Sequence, residues 1–260
     1  IERAVIAVID PDMRVNGKGI SILEAAGIEV KVGVLSGQAS LDHAGFFSSQ
    51  SECRPWVTLK LAASIDGKIA TSRGDSKWIT GSSARHFVHN MRRKHDAIMV
   101  GSGTVISDDP SLNVRDLGAC RQPYRIVLSS NLDIPVKSNL TKTIQEQPVW
   151  IFHSNKVSEE RKNDWLEIGA DLFECQVDNF GISIRDVMQN LSDNGITRLL
   201  CEGGGKLAAS LIRSELVDEI VTFHGGLTIG SDGFPSIGNL GVCSLSEAKR
   251  WRLDRTLSFG

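Results

Sequence analysis

"RLLCEGGGKLAASLIR", residues 198–213, sets an apolar run that ends in a carboxylate against three consecutive glycines and an alanine-rich amphipathic stretch. The pattern predicts a strand over 198–201, a tight turn, and a helix over 205–213. Glycine loses more conformational freedom on ordering than any other residue, so three in a row imply a backbone that bends sharply or lets something approach. In an α/β sheet such a turn lies at the carboxyl edge, where first-turn amides and the helix dipole attract an anion. A phosphate-bearing ligand is the natural occupant, with Glu202 beside it. "GGGKLA" also satisfies a GxGxxA spacing, yet the next apolar run, "EIVTFHGG" (219–226), ends in His224 and glycines. A dinucleotide-binding βαβ unit would place an acidic residue there, so the ordinary Rossmann reading is rejected. A ligand-free tight turn remains the bland alternative, and the position of Glu202 counts against it.

Working outward, "WVTLKLAAS" (56–64), "AIMV" (97–100), "YRIVL" (124–128), "VWIF" (149–152) and "ADLFEC" (170–175) read as strands, with helical stretches near 158–168 and 183–193. In the first of these, Val57, Leu59 and Leu61 alternate against Thr58 and Lys60, which projects Lys60 opposite the apolar face. "SSARHFVHNMRRKHD" (82–96) predicts a helix capped by Ser82 or Ser83, with Ala84, Phe87, Val88 and Met91 as its apolar stripe. Arg85, His89 and Arg92 fall on the other face, where a solvated charged stripe and a binding surface have equal weight. Strands alternating with helices predict a layered α/β domain with a largely parallel sheet. Ahead of it, "RAVIAVID" (3–10) and "GKGISILEAAGIEVKVGVL" (17–35) form a strand, helix, strand unit, followed by a polar linker at "FSSQSECRP" (47–55). The stretch beyond 224 is glycine-rich loop.

The 260 residues are 41% hydrophobic and 23% charged, an ordinary globular composition, and a formal net charge of −2 argues against a nucleic-acid partner. No stretch is apolar for the ~20 residues of a membrane span. The five cysteines, Cys53, Cys120, Cys175, Cys201 and Cys243, are scattered without metal-ligand spacing, so they read as reduced thiols of a cytoplasmic protein that binds no metal. Residue 1 falls almost inside the first strand, and the chain is expected to begin partway through a fold.

Two further stretches carry chemistry. "GDSKWITG" (74–81) feeds the helix that carries Arg85, His89 and Arg92. "VGSGTVISDDPSLNVR" (100–115) combines glycines, the Thr104 hydroxyl, paired Asp108 and Asp109, and Arg115. The aspartates either cap a turn before Pro110 or orient a ribose hydroxyl or a proton in transit. Arg92 and Arg115 are fork-shaped cations suited to a phosphate.

Taken together, "VTLKLAASIDGKIATSRGDSKWITG" (57–81), "VGSGTVISDDPSLNVR" (100–115) and "CEGGGKLAASLIRSELVDEI" (201–220) resemble the reductase domain of the bifunctional riboflavin-biosynthesis deaminase/reductase family. The resemblance runs from about residue 54 to the end, and residues 1–53 resemble the tail of that family's pyrimidine deaminase domain. It implies a 54–260 domain similar to dihydrofolate reductase, with a mostly parallel central sheet, preceded by a partial cytidine-deaminase-like α/β segment. The deaminase zinc site needs an HxE and a PCxxC; this chain has neither, so zinc is implied only for a missing part of the parent. The C-terminus, too, is expected to stop short of the family's final strand.

The implied activity is NADPH-dependent reduction of the ribosyl group of 5-amino-6-(5-phosphoribosylamino)uracil to a ribityl chain, by a homodimer acting on a small phosphorylated substrate. Carried over by motif, Ala62, Trp78, Thr104, Asp108, Ser130 and the run Gly204, Gly205, Lys206, Leu207, Ala208, Ala209 and Ser210 would bind NADPH. Ser76, Arg92, Leu112, Arg115 and Glu202 would bind substrate, and Lys60, Glu202 and Asp108 would be the catalytic residues. The alternatives are a reductase acting on the undeaminated diaminopyrimidine, a generic dinucleotide-dependent dehydrogenase, and a non-catalytic binding module.

Overall fold

The computed structural model describes residues 1–259, which divide into two compact units, 1–56 with 189–197 and 57–188 with 198–259. In the first unit, β1 (Arg3–Ile6) pairs in parallel with β2 (Glu29–Val32) through the crossover helix α1 (Lys18–Ala25), giving the expected strand, helix, strand order. Two helices follow, α2 (Ser36–Asp42) and α3 (Ala44–Glu52). The last corrects the expected linker. Its serines are satisfied inside the helix, where Ser51 Oγ donates to the Phe47 carbonyl at 2.8 Å, or at its end, where Ser48 Oγ donates to the Arg54 carbonyl at 2.9 Å.

The strands of the second unit are β3 (Trp56–Ser64), β4 (Lys68–Ala70), β5 (Ala97–Gly101), β6 (Tyr124–Leu128), β7 (Val149–Ser154), β8 (Asp171–Cys175), β9 (Val177–Asp178), β10 (Gly181–Ile182), β11 (Arg198–Cys201), β12 (Glu219–Gly225) and β13 (Phe234–Pro235). Its helices are α4 (Ser82–Arg93), α5 (Ser102–Asp108), α6 (Glu159–Glu167), the first half of α7 (Ile184–Asp193), whose residues 189–193 count with the first unit, and α8 (Gly205–Arg213). Seven strands make one sheet in the order β12-β3-β11-β5-β6-β7-β8. Strands β11, β5, β6, β7 and β8 run parallel, as do β12 and β3. The expected α/β class with a mostly parallel sheet is the one observed.

The order explains which strands are uninterrupted apolar runs. Every residue of β7 is buried, as are Ala97–Val100 of β5, because helices cover both faces of a parallel sheet. On one face Ile98, Val100, Val127 and Ile151 pack with Val105 of α5 and Trp165 of α6; on the other, Leu200 and Phe223 pack with Ala84, Val88 and Met91 of α4. β3 lies between β12 and β11, so Thr58 is as buried as its apolar neighbours; its hydroxyl donates to Glu219 Oε2 at 3.0 Å and meets His95 Nε2 at 3.1 Å.

At α4 the cap is Gly81, in extended conformation and without a side-chain bond, rather than Ser82 or Ser83, which are already inside the helix. The segment that leads into α4 crosses the end of β12 closely enough that a Cβ on Gly225 would lie 1.9 Å from the Ile79 carbonyl oxygen. A backbone atom cannot swing aside as a side chain can. Gly225→Ala is therefore expected to lower stability by about 1–3 kcal/mol, a melting-temperature fall of roughly 2–10 °C for a domain of this size. Differential scanning calorimetry checks it, and an unchanged transition would show that the 74–81 segment yields freely.

Candidate active site

The carboxyl ends of β3, β5 and β11 open into a cleft of about 1500 Å³ in the second unit. That exceeds the roughly 300–1,000 Å³ of a pocket for one drug-sized ligand. It has room for two.

One part of the cleft wall is ionic. Glu202 follows β11 directly, and its amide donates to the Met99 carbonyl of β5 at 3.0 Å, which fixes where the side chain starts. Arg92 of α4 grips the carboxylate in two places, Nε to Oε1 at 2.6 Å and Nη2 to Oε2 at 3.0 Å. Lys60 Nζ approaches Oε2 at 3.7 Å from β3. Burial alone would raise the Glu202 pKa, but the Arg92 and Lys60 charges outweigh it and hold the carboxyl at about 2. The same pairing raises Arg92 against the opposing effect of burial. Of the two readings the sequence left open for the α4 stripe, the solvated one fails at two of its three positions. Arg92 is an internal partner of Glu202. His89, one turn earlier, is buried; that burial and the neighbouring Arg92 and Arg115 depress its pKa against Glu202 and the Asn113 backbone, favouring neutral imidazole.

The three glycines serve three purposes. Gly203 has φ +97°, which a side chain would strain, and its carbonyl accepts from the Gly101 amide at 3.1 Å, tying the turn to β5. Gly205 leaves room for another backbone: a Cβ there would sit 2.5 Å from the Pro235 carbonyl oxygen, and the Gly238 amide donates to the Gly205 carbonyl at 2.9 Å. Gly204 is the N-cap of α8 on the cleft wall, where a Cβ would meet Thr104 Oγ1 at an ordinary 3.6 Å. Lys206, Leu207 and Ser210 also line it. Ala208 and Ala209 do not: the helical period turns them into the core, where they are almost wholly buried.

Ala62, Ser76, Trp78, Thr104, Asp108, Ser130 and Arg115 all line the cleft, so residues from β3, α5 and three loops converge. Asp109, at φ +41°, is a structural residue, accepting from the Asn139 amide at 2.7 Å. Leu112 borders the cleft, yet its side chain belongs to the buried core cluster and its carbonyl accepts from Gln147 Nε2 at 3.0 Å. Arg115 is exposed, with Nη1 donating to Asn113 Oδ1 at 3.3 Å. Sequence reasoning missed the second wall. The 226–239 loop reaches the cleft because Asp66, held near pKa 2 by Ser64 and the Gly230 amide, also accepts the Ile229 amide and anchors it. Phe180 was also missed; an isolated phenylalanine in a polar stretch gives no periodic signal.

Glu202 links pH to stability. Its folded-state pKa of about 2 lies below the ordinary 4.5, so the pairing contributes fully above about pH 4.5 and is lost as pH falls towards 2. Glu202→Gln leaves Arg92 buried without a countercharge, at an expected cost of about 3 kcal/mol near neutrality. The difference from the parent chain in urea titrations should shrink steadily below about pH 4.5. A difference that stays constant with pH would refute the assignment.

The chain is 40% identical over 237 residues to the riboflavin biosynthesis protein RibD of Bacillus amyloliquefaciens, a match covering 91% of this chain and 63% of that protein. It is 35% identical over 260 residues to RibD of Aquifex aeolicus, covering 100% of this chain and 70% of the relative. Among solved structures, Acinetobacter baumannii RibD superposes with a TM-score of 0.83 at 30% identity, over 97% of this chain and 69% of that one. The diaminohydroxyphosphoribosylaminopyrimidine deaminase/5-amino-6-(5-phosphoribosylamino)uracil reductase of Thermotoga maritima superposes with a TM-score of 0.81 at 29% identity, over 98% and 68%. The chain spans about two thirds of the length of these relatives. Residues 55–260 match the RibD C-terminal domain, and the chain belongs to that family.

Proposed function

We propose that the chain carries the reductase step of riboflavin biosynthesis, converting the ribosyl group of 5-amino-6-(5-phosphoribosylamino)uracil to a ribityl chain with NADPH, and that residues 54–260 hold this activity. The observation that supports it is one cleft that brings two unlike features side by side: a buried Lys60–Glu202–Arg92 ionic centre and, two residues after Glu202, the N-terminus of α8 at a glycine turn. Its size accommodates a dinucleotide beside a sugar phosphate.

The residues present fit the cofactor. The bare Gly204 cap, the first-turn amides of α8 and the hydroxyls of Thr104 and Ser210 are donors that a pyrophosphate accepts. When bound, NADPH supplies the hydride. The chain's own residues do the rest. Reduction requires the bond between the anomeric carbon and the ring oxygen to break, leaving the carbon doubly bonded to nitrogen. The freed oxygen takes a proton, and the carbon takes the hydride. In this reading Lys60 gives that proton, with Glu202 Oε2 3.7 Å from its Nζ. Glu202 is saturated by two cations and holds their geometry. Arg92 is occupied there, so the substrate phosphate falls to the exposed Arg115, which revises the division of labour expected from sequence. Asp108, Trp78, Ala62 and Ser130 complete the cofactor wall, with Ser76 on the substrate side. The deaminase step is not assigned to this chain, which lacks HxE and PCxxC. In this reading the protein is a cytoplasmic homodimer.

The test follows NADPH oxidation with the deaminated and the undeaminated ribosylaminopyrimidine phosphates, and with NADH as cofactor control. Turnover with the deaminated compound is expected. Lys60→Met should lower kcat by about 10²–10⁴-fold with NADPH affinity retained. Arg115→Ala should raise KM with kcat little changed. Turnover confined to the undeaminated compound would overturn the substrate assignment, and parallel loss of NADPH binding in Lys60→Met would overturn its role.

A further inference from the structure

Phe180 stands at the β9–β10 turn on the cleft wall, and 71% of it is exposed. An aromatic ring left in water beside a concave site is an informative exception, because burying a phenylalanine is worth roughly 1.5–3 kcal/mol. The ring is not loose. The Arg213 guanidinium lies 4.2 Å from its centroid, covering one face. Arg213 is itself held from two sides: Nη2 donates to Ser210 Oγ at 3.0 Å, and Nη1 donates to the Asn239 carbonyl. Its Nε is buried without a partner, so the guanidinium gives up a hydrogen bond to keep this position. The arrangement fixes a flat apolar surface with one face backed and the other open.

Its place along α8 identifies what the surface receives. Glu202 precedes the helix, Gly204 caps it, and Ser210 and Arg213 lie about 1.7 and 2.5 turns further on, so the ring over Arg213 is set beyond the anion-binding end of the helix. At 1.5 Å per residue, Gly204 and Arg213 are about 13 Å apart along the axis. A ligand whose phosphates sit at the Gly204 cap extends in two directions, towards Glu202 and towards Phe180. A dinucleotide carries a flat ring at each end, one reactive and one inert. The same device occurs at Trp78, 65% exposed, where Arg85 lies 4.4 Å from the ring centroid and is tied by Nη1 to the Thr80 carbonyl at 2.6 Å.

We propose that Phe180, backed by Arg213, is the stacking platform for the adenine base of the cofactor. The inference rests on the dinucleotide reading above and adds the subsite for the non-reacting half. Aromatic–base stacking tolerates any base and depends on the ring's area. Phe180→Ala should therefore weaken binding of 2′,5′-ADP by roughly tenfold or more, and Phe180→Trp should restore it. Reduced nicotinamide mononucleotide, which has no adenine, should bind both variants like the parent chain. Arg213→Met should weaken 2′,5′-ADP less than Phe180→Ala, because the ring remains and only its backing is lost.

The experiment is isothermal titration calorimetry of the whole chain and these variants with 2′,5′-ADP, reduced nicotinamide mononucleotide and NADPH, with circular dichroism confirming that each variant is folded. Selective loss of 2′,5′-ADP affinity in Phe180→Ala, rescued by Phe180→Trp, is the expected result. Equal affinity of parent and Phe180→Ala overturns the platform, as does equal weakening of both fragments. If the parent chain binds none of the three, it is the cofactor reading that fails.

Discussion

Glu202 is a buried carboxylate that two cations from two different elements must reach. A charge taken out of water is costly unless it is paired and hydrogen-bonded. Arg92 on α4 and Lys60 on β3 satisfy it, and in doing so fix the distance between a helix and two strands. The demand runs backward into the fold: β3 must lie beside β11, and α4 must cover the face on which Leu200 and Phe223 emerge. It also runs forward into the site, because the network holds the Lys60 amine on the cleft wall, where the proposed reaction draws its proton.

The glycine turn shows a different economy. Three identical residues meet three separate constraints: a left-handed backbone at Gly203, an open cap at Gly204, and close passage of the 235–238 backbone at Gly205. The last brings the loop after β12 against the start of α8, where Asp66 and the short β4–β13 pairing keep it. One face of the cleft is thus built by the sheet and the other by a loop with almost no regular structure. The loop holds by backbone hydrogen bonds and by the absence of side chains, not by apolar burial.

Two arginines, Arg85 on the cleft wall and Arg213 behind it, are used as supports. Arg85 and Arg213 each lie under an exposed ring, and each is anchored by a carbonyl oxygen so that the cation does not follow solvent. A guanidinium is suited to this because it is planar, weakly hydrated and always charged. Arg92 has the same virtues in another setting, where its fork matches the carboxylate. Electrostatics in this protein mostly orients groups; Arg115, exposed on the cleft wall, has a guanidinium held only by Asn113 among the described hydrogen bonds.

Periodicity made the central strands, α4 and α8 legible in the sequence, because a parallel sheet covered on both faces demands apolar runs of a length nothing else explains. Motif spacing brought Lys60, Trp78, Thr104, Asp108, Arg115 and Glu202 into one proposed site, and the sheet order does place them around one cavity. What the sequence could not decide is how groups are spent. Arg92 reads as a phosphate ligand until its distance to Glu202 is known, Ala208 and Ala209 read as cofactor contacts until the helical phase turns them inward, and "FSSQSECRP" reads as a linker although Ser51 bonds within α3 and Ser48 closes its end on Arg54. Phe180 gives no local signal at all, since its meaning lies in Arg213, 33 positions away. Local sequence sets propensity and charge, which act over a few residues; pairing, burial and approach between distant segments exist only once the chain is folded, and they decide which charge is free and which is already taken.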